Sequence, residues 1–329
     1  MKIATIGSGM IVNLFLDAVD HVDGVECVAV YSRKEESAKA LASKFQIRKT
    51  YTDLQSMLKD DEIDVVYIAS PNSLHYQHCR AAFENNKHVI CEKPLTSTMF
   101  ELKELTNLAK SKDLFFFEAI TTIHLPNFKE FLRMLPDIGK IKMVSCSFLQ
   151  YSSKMDAFKA GEIPNVFNPE FSGGALMDLN VYNLHFAIAA FGDPSLATYH
   201  PILADNGIDV GGIMILQYPG FLVSCTAGKH VQAHNCADVF GENGMIHVDK
   251  EVSNFISFDL IKGDTTKSFN TQKAKNRMTY ELKEFLRVYQ TNDKKTAKDW
   301  MKHSLKVYQI LHDAREKAGI VFGADKLKM

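Results

Sequence analysis

Two stretches of the chain combine residue types that could do chemistry together. The first is Gly7-Ser8-Gly9-Met10-Ile11-Val12, set between an apolar run, Lys2–Ile6, and an apolar helical stretch reaching Val19. A turn of this kind can hold a phosphate. Gly7 permits the tight bend, and Gly9 leaves space where a pyrophosphate would approach. The helix that follows offers unpaired N–H groups and the positive end of its dipole. A lone G-x-G is also an ordinary turn. Here it follows a first strand and opens a helix, and a second strand, Val25–Tyr31, ends about 20 residues later, as in dinucleotide-binding folds. The third position of that fingerprint is Val12 rather than a small residue, so the helix is expected to stand slightly off the strand.

The end of the second strand selects the dinucleotide. NAD sites usually place an acid there for the ribose 2′-hydroxyl. This chain has Ser32 and Arg33 instead. A hydroxyl and a guanidinium suit a 2′-phosphate, which makes NADP the expected cofactor and NAD the second option. Glu35 and Glu36 are expected in the first turn of the next helix, away from that phosphate.

The second stretch is Gly173-Gly174-Ala175-Leu176-Met177-Asp178-Leu179-Asn180-Val181-Tyr182. Asp178 and Tyr182 are four apart and share one face of a helix. Hydride transfer from a carbinol needs a group that takes the hydroxyl proton. A positioned phenol can do so, although a tyrosine on an apolar helix also serves as a core residue and an aspartate after Gly-Gly as a cap. His185 lies on the same helix and either borders the pocket or packs. His75 with His78, and His230 with His234, have no evident third ligand, and H-E-x-x-H is absent, so no metal is expected.

These residues need a scaffold. Lys2–Ile6, Val25–Tyr31, Val65–Ala69 and His88–Cys91 read as buried strands, separated by helical patterns that include Thr52–Leu58 and Leu74–Asn85. That alternation predicts a parallel Rossmann sheet over residues 1–119. The remainder, 120–329, reads as an α/β substrate-binding and oligomerisation domain. Its strands, Lys142–Gln150, Val210–Tyr218, Phe221–Thr226 and Ile256–Lys262, are separated in several places by turn signals such as Gly241-Glu242-Asn243-Gly244. They predict a mainly antiparallel open sheet, with helices on one face and a second copy of the chain on the other. Amphipathic helices are expected over Met278–Tyr289 and Ala297–Lys317. A length of 329 residues fits two domains. A net charge of -1 provides no general attraction to nucleic acid or anionic membrane. The six cysteines have no finger spacing and are expected as reduced thiols in a cytoplasmic protein. No apolar run is long enough for a membrane span, and with a strand starting at Lys2 no signal peptide is expected.

Ser70-Pro71-Asn72-Ser73-Leu74-His75 after the third of those strands, Glu92-Lys93-Pro94 after the fourth, and the Gly173–Tyr182 stretch together resemble the Gfo/Idh/MocA family of sugar and polyol oxidoreductases. The resemblance covers nearly the whole chain. Tyr182 four residues after Asp178, and Phe117-Glu118-Ala119 with Pro126 downstream, look like its dimeric dihydrodiol dehydrogenase and NADP-dependent xylose dehydrogenase branch. The resemblance implies that Lys93 is the active-site lysine, Tyr182 the proton donor or acceptor, and Asp178 its neighbour. It implies that Asn72, His75 and Glu92 border the cofactor; Gly7, Gly9, Met10, Ile11, Pro71 and Lys93 are expected to contact it as well. Glu118, Asn165, His185 and Tyr280 are the candidate substrate residues. Ile123 and Asn165 stand where relatives of this branch tend to carry Arg, and Asn180 where Gly is frequent, so the branch's substrates do not transfer directly.

Charge arithmetic supports the pairing of lysine and tyrosine. A free phenol has a pKa of about 10. An ammonium at about 4 Å is worth roughly 4 kcal/mol at an effective dielectric of 20, or about three pKa units. Lys93 alone could therefore bring Tyr182 near neutrality. The expected activity is hydride transfer between NADP and a sugar, polyol or dihydrodiol. The alternatives are a non-catalytic NADP-binding sensor of the same fold and a nucleotide-binding enzyme of another class, such as a methyltransferase. The Glu92-Lys93-Pro94 motif disfavours the last.

Overall fold

The computed structural model describes residues 1–328. They form two compact units. Met1–Ala119 and Ala274–Leu305 make the first, and Ile120–Lys273 with the chain from Lys306 onward makes the second. Each contains one sheet.

The first unit holds strands β1 (Lys2–Ile6), β2 (Glu26–Tyr31), β3 (Lys49–Tyr51), β4 (Val65–Ile68), β5 (His88–Glu92) and β6 (Phe116–Ala119), with helices α1 (Met10–Val19), α2 (Glu35–Lys44), α3 (Leu54–Leu58), α4 (His75–Glu84) and α5 (Met99–Ser111) between them. The strands are parallel in the order β3-β2-β1-β4-β5-β6. The order reverses between β1 and β4, which leaves a crevice at their carboxyl ends. β3 and β6 were not expected, because three or four residues are too few to show a period. Residues 274–305 also pack here, although the sequence reading placed them with the second domain. Helix α9 (Met278–Gln290) buries Met278, Leu282, Phe285 and Leu286 in the same core as Phe15, Leu16 and Phe117. The Phe117 and Phe285 rings stack at 4.8 Å. Apolar burial of this size outweighs position along the chain.

The second unit contains β7 (Ile141–Leu149), β8 (Leu196–Leu203), β9 (Asp209–Tyr218), β10 (Phe221–Gly228), β11 (Cys236–Gly241), β12 (Gly244–Asp249), β13 (Ser257–Lys262) and β14 (Thr265–Phe269). The sheet order is β14-β13-β12-β11-β7-β10-β9-β8. Only β7 with β10 is parallel; the other pairs are antiparallel. One face buries Val144, Val223, Leu216, Val239 and Ile246 completely. Helices α6 (Pro126–Met134) and α8 (Val181–Phe191) pack on that side, with α7 (Met155–Lys159) in the connection between β7 and α8. The alternate residues, including Met143, Ile213 and Leu222, are exposed on the other face. Helix α10 (Lys294–Lys317) begins in the first unit and ends in the second. No helix among the described residues is long and apolar enough to cross a membrane. The six cysteines are free thiols.

Candidate active site

In the first unit a cleft of about 360 Å³ opens at the β1–β4 reversal, lined by Gly7, Ser8, Gly9, Ser32, Arg33 and Pro71. Tyr31, Ser70, Leu74 and His78 complete much of the rest of its wall and were not foreseen. The two glycines do different work. Gly7 has φ +118°, and a Cβ there would meet the Ala69 carbonyl oxygen at 2.7 Å. Gly9 has an ordinary φ of -78°, and a Cβ would meet no atom within 4 Å. The fold requires the first glycine, while the second keeps a space open. Gly9 is also the N-cap of α1 with no side-chain cap bond, so the first-turn N–H groups remain available to an anion. Val12, at the third fingerprint position, is fully buried and absorbed into the core. Met10 and Ile11 open α1, Met10 being 82% exposed.

Arg33 supplies positive charge to this cleft. His78 does not, because burial, with the charges of His75 and Arg33, pushes its pKa down to about 4. Glu35 and Glu36 do open α2, and Glu35 is paired with Lys39 at 2.6 Å. The wall of the cleft therefore offers a glycine turn, a helix N-terminus, a hydroxyl and a guanidinium. This set fits a dinucleotide carrying an extra phosphate on its ribose.

His75 and Glu92 brace the region. His75 is 1% exposed, and its Nδ1 and Nε2 lie 2.8 Å from the carbonyl oxygens of Pro94 and Ser70 respectively. It ties the Ser70–Asn72 loop to the loop of Lys93 and Pro94, whose peptide bond is cis. Burial holds its pKa below the usual value, while the carbonyls of Pro94 and Ser70 oppose that shift. The buried Glu92 accepts a hydrogen bond from the Tyr67 hydroxyl at 2.6 Å, yet burial raises its pKa. Glu281, on α9, is pushed well above the usual range by burial and by the charge of Glu92. Glu118 is 5% exposed and accepts from the Ser304 hydroxyl at 2.5 Å. Tyr280 is half-buried, and its hydroxyl accepts from the Ala274 N–H at 2.8 Å. Asn72 forms a short 3₁₀ turn before α4, and Lys93 is half-buried.

In the second unit, Leu176–Asn180 is a turn of π-helix running into α8. The Val181 N–H reaches back to the Leu176 carbonyl, five residues earlier. Asp178 lies in this turn and Tyr182 in the first turn of α8, so they come from differently wound segments. Such π turns occur frequently at functional sites. Remote side chains hold this one. The Asp209 carboxylate, at the start of β9, accepts from the Leu176 N–H at 2.6 Å and from the Tyr199 hydroxyl at 2.7 Å. Gly174, at φ +102°, has no room for a Cβ, which would run into that carboxylate. Asn180 is buried; its amide donates to the Cys225 carbonyl at 3.0 Å, and its oxygen accepts from Asn183. The departure from glycine at 180 thus ties the turn to β10.

Tyr182 is 9% exposed, with the Phe148 ring 5.8 Å away. His185 is fully buried, 6.4 Å from the Tyr308 ring. Asn165 is exposed. Lys229, just past β10, was missed. It is 4% exposed and donates to the Asp178 carboxylate. An isolated lysine after a strand gives no spacing signal. Cys236, Asp238 and His247 also converge on the uncovered side of β11 and β12, with potential donor atoms within 4.8 Å of one another and His247 paired to Asp238 at 2.7 Å.

A parallel sheet with this cleft defines a dinucleotide-binding protein, and the second sheet narrows the class. Residues 1–120 match the oxidoreductase family with an NAD-binding Rossmann fold, and residues 136–247 match the GFO/IDH/MocA C-terminal domain. The chain is 34% identical over 326 residues to scyllo-inositol 2-dehydrogenase (NADP(+)) of Bacillus subtilis (strain 168), covering 99% of each. It is 26% identical over 320 residues to trans-1,2-dihydrobenzene-1,2-diol dehydrogenase of Xenopus tropicalis, covering 93% of each. A 3-ketoreductase from Actinomadura kijaniata, solved with NADP and TDP-benzene, shares the fold with a TM-score of 0.84 at 22% identity, over 96% of this chain and 97% of that one. The chain belongs to the Gfo/Idh/MocA family of oxidoreductases.

Proposed function

We propose that the protein is a cytoplasmic NADP-dependent dehydrogenase that moves a hydride between the cofactor and a carbinol or carbonyl of a sugar, polyol or dihydrodiol. The cleft of the first unit carries this reading, because it combines an open space at Gly9 with Ser32 and Arg33 at its wall. The relatives support it: one is named for scyllo-inositol and NADP(+), another for a dihydrobenzenediol. Gly7, Gly9 and the start of α1 would hold the pyrophosphate, and Ser32 and Arg33 the 2′-phosphate. The nicotinamide, when bound, supplies the two-electron acceptor.

The chain's own residues would handle the proton. Tyr182 takes it from the substrate hydroxyl during oxidation and returns it during reduction. Lys93 would serve as the active-site lysine, and Asp178 would set the charge and orientation around Tyr182. The exposed apolar side chains on the uncovered sheet face, Met143, Ile213, Leu222, Leu196 and Ile202, support assembly into a homodimer. The test is a fluorescence titration with NADPH and NADH, followed by a screen of sugars, polyols including scyllo-inositol, and dihydrodiols for NADPH formation. Equal affinity for the two cofactors would remove the NADP assignment, and no turnover of any compound would remove the dehydrogenase.

A further inference from the structure

Lys229 has no role in the reading above, and its surroundings are unusual for a lysine. It is 4% exposed, although lysines are almost never fully buried unless paired. Its backbone is pinned on both sides. The N–H donates to the Val210 carbonyl at 2.7 Å, and the carbonyl accepts from the Ser152 N–H at 2.8 Å. Its ammonium lies 5.7 Å from the centre of the fully buried Phe167 ring and donates to Asp178 Oδ2. Among the described residues, Asp178 is the one carboxylate it bonds. The Asp178 side chain is 31% exposed against 5% for Lys229, so the carboxylate faces outward and the ammonium stands behind it.

Asp209 adds a second link. This buried carboxylate accepts from the N–H that begins the π turn. Lys229 thus bonds the carboxylate on the turn, while Asp209 anchors the start of the same turn. An aspartate four residues from a reacting tyrosine would, if unpaired, oppose loss of the phenolic proton, because like charges disfavour one another. A lysine locked against it cancels that repulsion and fixes its rotamer.

We propose that Lys229 is a positioning residue of the active site, acting through Asp178 to keep that carboxylate charge-paired and oriented beside Tyr182. This rests on the assignment of Asp178 and Tyr182 to the reaction. The experiment is a double-mutant cycle on single-turnover hydride transfer, using NADP⁺ with the best polyol of the screen. Lys229→Met should slow transfer by about 10–100-fold, the size of a lost hydrogen bond to a charged group. NADPH affinity, which depends on the first unit, should be unchanged. Lys229→Arg should restore part of the rate. In an Asp178→Asn background, Lys229→Met should cost nothing more, since residues acting through one another are not additive.

A normal rate in folded Lys229→Met, or an equal loss in both backgrounds, would overturn the proposal. If Lys229→Met does not fold, as near-UV circular dichroism would show, the decision passes to Lys229→Arg and to the Asp178→Asn/Lys229→Met pair. In that case Lys229→Arg as slow as Asp178→Asn, or a double variant slower than Asp178→Asn, would overturn it. A Tyr182→Phe variant of normal rate, or a wild type that turns over nothing in the screen, would remove the underlying reading and this inference with it.

Discussion

The cleft beside β1 and the π turn before α8 are both built around glycines, but they are held in different ways. The cleft is made by neighbours in sequence: a strand, a turn needing φ +118° at Gly7, and a helix N-terminus within a few residues. The π turn is held from far along the chain, by Asp209 on β9, by the Cys225 carbonyl on β10 and by Lys229 beyond it. Local geometry can be written into a short motif. A turn held by distant side chains depends on the whole sheet being in register first.

The largest expected effect tests the chemistry assigned to the second region. Tyr182→Phe keeps the ring and should leave folding and NADPH binding intact, while turnover falls by about 10²–10⁴-fold, the usual contribution of a positioned acid or base. Single-turnover rates will decide. A near-normal rate would move attention to His185 on the same helix.

Arg33→Ala tests the first region. It should weaken NADPH by about 1.5–3 kcal/mol, the scale of a hydrogen bond to a charged group, and leave NADH nearly unchanged. Fluorescence titration of both cofactors checks it. An equal loss for both would mean that Arg33 does not read the 2′-phosphate.

The two glycines of the motif should separate under the same substitution. Gly7→Ala forces a Cβ onto a backbone oxygen at positive φ and should cost about 1–3 kcal/mol of stability. Gly9→Ala meets nothing and should change stability by less than about 0.5 kcal/mol, while reducing NADPH affinity. Denaturant unfolding and cofactor titration of each variant distinguish them. If both destabilise alike, the distinction between a fold glycine and a ligand glycine is lost.

The subtlest expectation concerns pH. Burial raises the Asp209 pKa from 3.8 to about 6, despite its bonds from Tyr199 and Leu176. A carboxyl with a raised folded pKa binds more protons folded than unfolded. Its contribution to stability is therefore complete below about pH 4 and is lost as pH rises to about 6. Asp209→Asn cannot titrate, so its stability should show a weaker decline over that window. Parallel pH-dependent slopes for variant and wild type would exclude Asp209 as the source.

The first region was largely legible because its determinants are short-range. Gly7, Gly9, Ser32 and Arg33 lie within about one β-α-β repeat, and all four line the same cleft. The apolar runs of β1, β2, β4 and β5 were equally plain, as strands buried on both faces must be. Asp178 and Tyr182 were visible as a spacing, but the π winding between them was not, since five-residue hydrogen bonding leaves no period in so short a stretch.

What the sequence determined by itself was local: a glycine turn opening a helix, a guanidinium at the end of β2, and an acid and a phenol four residues apart. Only the tertiary structure decided that α9 completes the first core, that His75 is a brace between two carbonyls, and that Lys229 stands behind Asp178. The physical reason is the same each time. A buried polar group must find its partner wherever the fold supplies one, and that partner can lie any distance away along the chain.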